Sequence, residues 1–162
     1  MTNILVPTDF TPASFQLAEQ ALQAMEGRPV NITLFHAFEI SDSETDLLTN
    51  RSKPYQSLLT ESFRLSCKQL KDQYPKQLQK ICFKFMDGST ARLFRNFVDA
   101  NEIDMIFCPD HYNYIPVHKQ SVDPRPLFKK SGITVLRELN ARRKNTAYES
   151  VEATTPAFAM AN

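Results

Sequence analysis

The chain is poor in glycine. Only Gly27, Gly88 and Gly132 occur among its 162 residues, and loops that wrap a phosphate with bare backbone amides depend on glycine for close approach. Cysteine is equally scarce: Cys67, Cys82 and Cys108 are odd in number, far apart and without a Cys-x-x-Cys pair. This argues against a disulfide framework or a thiolate zinc site and fits buried thiols in a reducing compartment. No apolar run approaches the ~20 residues needed to span a bilayer, so no membrane association is expected. The opening residues lack a charged region followed by an apolar stretch and a cleavage site, so no secretory leader is expected and a cytoplasmic location is anticipated. An excess of one charge is missing too. Lys plus Arg number 19 against 18 Asp plus Glu, a net charge of +1, which argues against a dedicated nucleic-acid binder.

What is present reads as one α/β domain over residues 1–139, followed by a tail over residues 140–162 without core periodicity. Ile4-Leu5-Val6 is an apolar run without alternation, the pattern of a strand buried on both faces of a parallel sheet. Pro7 stops it, and Asp9 follows where open α/β sheets bind their ligands, just past the carboxyl end of a central strand. Thr11-Pro12 suits a helix start, and Ser14, Leu17, Ala18, Ala21, Leu22 and Met25 form one helical stripe ended by Gly27. Val30 to Phe38 reads as a second strand with His36 near its end. After a polar connection with a short helical turn anticipated at Leu47-Leu48, Pro54 is expected to open a helix that buries Leu59, Phe63, Cys67 or Ser66, Leu70 and Tyr74 and ends at Pro75. Lys80 to Met86 is a third strand, and Ser89 or Thr90 caps a helix carrying Leu93, Phe94, Phe97 and Val98. Ile103 to Cys108 is a fourth strand stopped by Pro109. Asp110 to Asp123 shows neither helical nor strand period, Pro124 to Lys130 allows only a short helix, and Ile133 to Leu136 is the fifth strand. Strands alternating with helices imply a parallel sheet, right-handed crossovers and helices on both faces, a three-layer α/β/α sandwich.

These residues together resemble the universal stress protein family. The resemblance rests on the opening ILVPTDF with its following Thr, Ala and Ser, on Leu34-Phe35-His36-Ala37, on the turn Asp87-Gly88-Ser89 and on Ala100 to Ile106, in that order and spacing, and it covers Asn3 to about Glu138. It implies a five-stranded parallel sheet in the order 3-2-1-4-5, of the adenine nucleotide alpha hydrolase-like type, with the switch point between strands one and four. It also implies a homodimer, paired through the fifth strand. Many members bind ATP with a loop reading Gly-x-x-Gly, nine residues, then Gly and Ser or Thr. Here those glycines fall on Pro109, Tyr112 and about Ser121. Proline has no N–H to offer a phosphate oxygen, and Tyr112 puts a side chain where bare backbone would have to approach. Each lost N–H contact to a charged oxygen costs roughly 1.5–3 kcal/mol.

The resemblance places the crevice on Pro7, Thr8, Asp9, Ala37, Pro109, Asp110, His111 and Ser121. With the loop so altered, no tightly bound cofactor is expected, and no catalytic or metal-binding residue is assigned. The alternative is that ATP still docks, held by Asp9 and backbone near Ala37 and Ser121, with weak or no hydrolysis. Asp9, His36 and the Asp110-His111 pair converging at one sheet edge would suit a cation or acid–base chemistry, but His111 and His118 on an irregular loop fix no metal geometry. A phosphoacceptor receiver domain is a further reading of the same sheet; no acidic pair accompanies Asp9. The loop Asp110, Tyr112, Tyr114, His118 and Lys119 either plugs the crevice or lines a pocket for another small ligand. Arg142-Arg143-Lys144 reads as a solvated tail rather than a nucleic-acid patch. The function expected is therefore that of a non-enzymatic, homodimeric stress-response module acting through a partner or a small ligand. Its edge strand Ile133 to Leu136 lacks the proline or inward lysine that usually blunts such an edge.

Overall fold

The computed structural model describes residues 1–39 and 58–137. The turn anticipated at Leu47-Leu48, the helix start at Pro54, the Arg142-Arg143-Lys144 cluster and the tail over 140–162 lie outside the described residues.

The first strand, β1 (Thr2–Pro7), is the middle of the sheet. Ile4, Leu5 and Val6 are completely buried, because β1 is covered on both faces and paired on both edges. It runs parallel to β2 (Val30–Phe38) on one side and to β4 (Met105–Phe107) on the other. β3 (Leu78–Asp87) extends the sheet beyond β2, and β6 (Thr134–Leu136) extends it beyond β4, all parallel. The order is β3-β2-β1-β4-β6, so the chain reverses direction across the sheet between β1 and β4, as the family resemblance implies.

The sheet has a sixth strand that the five-strand expectation omits. β5 (Ser121–Val122) pairs antiparallel with the end of β2, Ala37 opposite Val122 and Phe38 opposite Ser121. It lies in the segment expected to have no strand character; two residues are too few to carry a readable alternation. The strand read from Ile103 is shorter than expected, beginning at Met105, although Asp104 already reaches β1 through its N–H to the Asn3 carbonyl at 2.9 Å.

Helix α1 (Pro12–Ala24) turns Ser14, Leu17, Ala18, Ala21, Leu22 and Ala24 inward, as its spacing predicts. Its start corrects one expectation: Thr11 occupies the N-cap position but makes no side-chain cap bond, and its hydroxyl donates instead to the Asp9 carboxylate. Helix α2 (Glu61–Gln73) is capped by the Thr60 hydroxyl, which accepts from the Phe63 N–H at 3.1 Å, and buries Phe63 and Leu70. Helix α3 (Ala91–Ala100) is capped by Thr90 rather than Ser89, its hydroxyl accepting from the Leu93 N–H at 3.2 Å. The short helix α4 (Arg125–Lys129) buries Leu127 and Phe128.

Aromatic rings fill both faces of the sheet. On one, Phe35 packs against Phe94, Phe97 and Phe128, with ring centroids 5.4, 4.9 and 6.3 Å away. On the other, Phe10 meets His36, Phe63 and Phe83 at 5.1 to 5.3 Å. Tilted and edge-on pairs of this kind add to the burial of the rings themselves. Leu93, expected with Phe94 on the inward stripe of α3, is instead 39% exposed while Phe94 is fully buried. Replacing Phe94 by Ala is therefore expected to cost about 3–5 kcal/mol of stability, and replacing Leu93 by Ala less than about 1 kcal/mol. Urea denaturation of the two variants checks the difference.

Candidate functional site

The crevice lies where β1 stops. Pro7 is the last residue of β1 and pairs with Phe35, whereas His36, Ala37 and Phe38 carry β2 further. Beyond Pro7 the chain holds on to β2 by one more bond, the Thr8 N–H to the Phe35 carbonyl at 2.9 Å. It then turns away through Phe10, whose φ of 65° is unusual for a residue with a side chain. The turn is held from within. The Thr8 hydroxyl accepts the Phe10 N–H at 3.1 Å and contacts the Ser14 hydroxyl at 3.0 Å, and Asp9 Oδ1 accepts the Thr11 N–H at 3.1 Å. Asp9 is buried at 2% exposure. Part of its hydrogen-bonding capacity is thus spent on the backbone that begins α1.

His36 joins the floor of the crevice to its cover. A backbone carbonyl only accepts, so the 2.7 Å contact between His36 Nδ1 and the Thr8 carbonyl places the ring proton on Nδ1. Nε2 of the neutral ring is then an acceptor, and the Ser121 hydroxyl, 2.8 Å away, donates to it. Ser121 Oγ in turn accepts the His118 N–H at 3.2 Å. Burial pushes the imidazole pKa down from its ordinary 6.5; the bond to the Thr8 carbonyl and the charge of Asp9 oppose this, and His118 adds to it. His36 is therefore a neutral hydrogen-bonding strut at neutral pH.

The cover is the segment from Pro109 to Asp123. Ser121 and Val122 occupy the lane beyond the end of β1, bonded to the free edge of Ala37 and Phe38. The Glu39 N–H adds a bond to the Gln120 carbonyl at 2.6 Å. Tyr112 is buried at 7% exposure, and its carbonyl is held from behind by Arg125 Nη1 at 3.2 Å. Arg125 is itself fixed by Asp123, with Nε 3.0 Å from both carboxylate oxygens. No residue between Pro109 and Asp123 has a positive φ. The segment thus lacks the left-handed residues that form an anion-binding concavity of successive amides.

The structure unites some of the expected residues and separates others. Pro7, Thr8, Asp9, Ala37 and Ser121 meet in the crevice together with His36. His111 reaches a cavity of about 240 Å³ between α1 and the cover, lined also by Asp9, Gln16, Gln20, Tyr112 and Asn113. Pro109 and Asp110 do not face this side. They line a second cleft of about 360 Å³ with Cys108, Asp123, Arg125, Lys129 and Arg137, where Asp110 pairs with Arg137 Nη1 at 3.3 Å. The anticipated convergence of Asp110 with Asp9 and His36 is therefore corrected: the Asp110 N–H follows β4 into a bond with the Arg137 carbonyl, which points its side chain to the other face of the segment. Among the described residues no group of three or more metal-ligating side chains converges. The second cleft was not read from the sequence, since its residues come from α4 and from the segments just after β4, before α4 and after β6, and only the fold collects them.

A doubly wound sheet with an acidic residue at its switch point belongs to the α/β class that binds ligands at the carboxyl ends of its strands. The chain belongs to the universal stress protein family, whose family model matches residues 1–113. Among solved structures it is similar to hypothetical protein PH0823, with a TM-score of 0.53 at 13% identity over 84% of this chain and 94% of that one. It is equally similar to hypothetical protein MJ0577, with a TM-score of 0.53 at 17% identity over the same shares of the two chains. At such identities these likenesses show the fold. A search of curated proteins returned no match. Among the described residues no helix is long and apolar enough to cross a membrane.

Two outcomes follow at this site. Ser121→Ala removes the bond to His36 and is expected to lower stability by about 1–1.5 kcal/mol, read by urea denaturation. Burial raises the Cys108 and Cys67 thiols to about 11, so both should react with an aromatic disulfide reagent at neutral pH far more slowly than a free thiol, and reach full reactivity only after unfolding.

Proposed function

We propose that this chain is a non-enzymatic universal stress protein module that does not bind ATP tightly and that acts in a stress response, as a homodimer, through a partner or a small ligand. The single observation that carries this reading is the closed crevice. Ser121 and Val122 are paired into the lane above Pro7, and Tyr112 is packed where an amide would have to face a phosphate. A triphosphate would have to break the pairing to Ala37 and Phe38 and the Ser121–His36 bond, and Pro109 would have no N–H to return. The competing reading, an adenine-nucleotide binder with weak or no hydrolysis, draws on the position of Asp9, Thr8 and Ala37 at the strand ends.

Isothermal titration with ATP and Mg²⁺ tests the two. No saturable heat at micromolar ATP is expected, and a micromolar dissociation constant would overturn the proposal in favour of the nucleotide binder. The dimer is proposed through the edge of β6 that pairs with no strand among the described residues, where Thr134 is exposed, Ile133, Val135 and Leu136 are half-buried, and no proline or lysine blunts the strand. Light scattering at micromolar protein is expected to give twice the chain mass, and replacing Val135 by Lys is expected to return it to the monomer.

A further inference from the structure

We propose that the cover of the crevice, residues 110–122, is a plug that acid releases, with His36 as the group that takes up the proton. The plug is tied to the body by the two-residue pairing of β5, two bonds between Glu39 and Gln120, the Ser121–His36 bond, the His118 ring against Phe38, the packing of Tyr112 into the core and the hold of Arg125 on the Tyr112 carbonyl. Around them His111, Asn113, Ile115, Pro116 and Lys119 stand in solvent. The Tyr112 hydroxyl is buried without a hydrogen-bond partner among the described residues, a penalty borne only while the plug is closed. A segment half in solvent that carries an unfavourable term of its own is one that opens without global unfolding.

The closed plug needs His36 neutral. With Nδ1–H committed to the Thr8 carbonyl, Nε2 is the acceptor for Ser121, and protonating it turns that acceptor into a donor. Ser121 Oγ would then receive two donors, His36 and the His118 N–H, and its own hydrogen would have to turn from His36 towards the Tyr114 hydroxyl beside it. The groups facing His36 are few. From the turn after β1 come the Thr8 carbonyl, Asp9 and the Phe10 ring; from β2 comes Phe38; from the plug come Ser121 and His118. Asp9 favours the imidazolium and His118 opposes it, but exclusion from water outweighs both, and the pKa lies below its ordinary 6.5. Lifting the plug removes Ser121 and His118 and lets water reach the ring. The open form therefore binds a proton more readily than the closed one, and its share grows as pH falls below the ordinary imidazole value, by at most about tenfold per pH unit. At neutral pH the plug stays shut.

The inference rests on the closed crevice of the proposed function, but the two fail separately: a plug indifferent to acid would still exclude nucleotide. The test is hydrogen exchange of the full chain read by mass spectrometry at about pH 7.5 and about pH 5, corrected for intrinsic exchange. Peptides covering 109–123 and Glu39 are expected to lose severalfold protection at the lower pH while β1 and α3 keep theirs. Ser121→Ala is expected to raise opening at both pH values, His36→Gln to abolish the pH dependence and His118→Gln to leave it in place. Unchanged protection, equal loss over β1 and α3, or a dependence that disappears with His118→Gln would each overturn the proposal. The wild type and the His118 variant decide it even if His36→Gln does not fold.

Discussion

The arrangement depends on a mismatch of strand lengths. β1 ends at Pro7 while β2 continues through His36, Ala37 and Phe38, so the sheet's central lane is vacated before its neighbour has finished. The backbone of Ala37 and Phe38 is buried and must find partners there. In many α/β proteins that gap at the switch point is where a ligand enters. Here the chain fills it with its own Ser121 and Val122, and nearly every contact of the site follows from that. Tyr112 is drawn inward, the Ser121 hydroxyl arrives opposite His36, and Asp123 and Arg125 clamp the far side.

Much of this was legible in the sequence, for physical reasons that differ from element to element. The buried run Ile4-Leu5-Val6 and the stripe from Ser14 to Met25 are long enough to show their period, and both hold in the structure. Asp9 was legible at the crevice because Pro7 marks the end of the apolar run before it, whereas Thr8, Ala37 and Ser121 were placed there only through the family resemblance. The two-residue β5 was not legible, and with it went the sixth strand and the bond from Ser121 to His36. A contact spanning 85 positions leaves no local trace in either segment. Asp110 was misplaced because it and His111 are the two central residues of a turn closed by the Tyr112 N–H to the Pro109 carbonyl at 3.0 Å, which sends their side chains to different clefts.

Thr11 illustrates how a site alters the structure beside it. By its residue type it should close the first turn of α1. It instead serves Asp9, and the helix begins with Pro12, which needs no N–H partner at that position. The entry to α1 and the buried carboxylate are thus one hydrogen-bonded unit together with Thr8 and Ser14. A change at any of these four residues is felt at the mouth of the crevice as well as in the helix.

The cover has two faces, and they touch different parts of the molecule. One meets His36 and the end of β1; the other, through the N–H of Cys108 to the Leu136 carbonyl and of Asp110 to the Arg137 carbonyl, is sewn to the outermost strand. The outer margin of the sheet and the lane at its centre are therefore joined by one short stretch of backbone, so that a molecule seated along that margin would lie only a dozen or so residues of chain from Ser121.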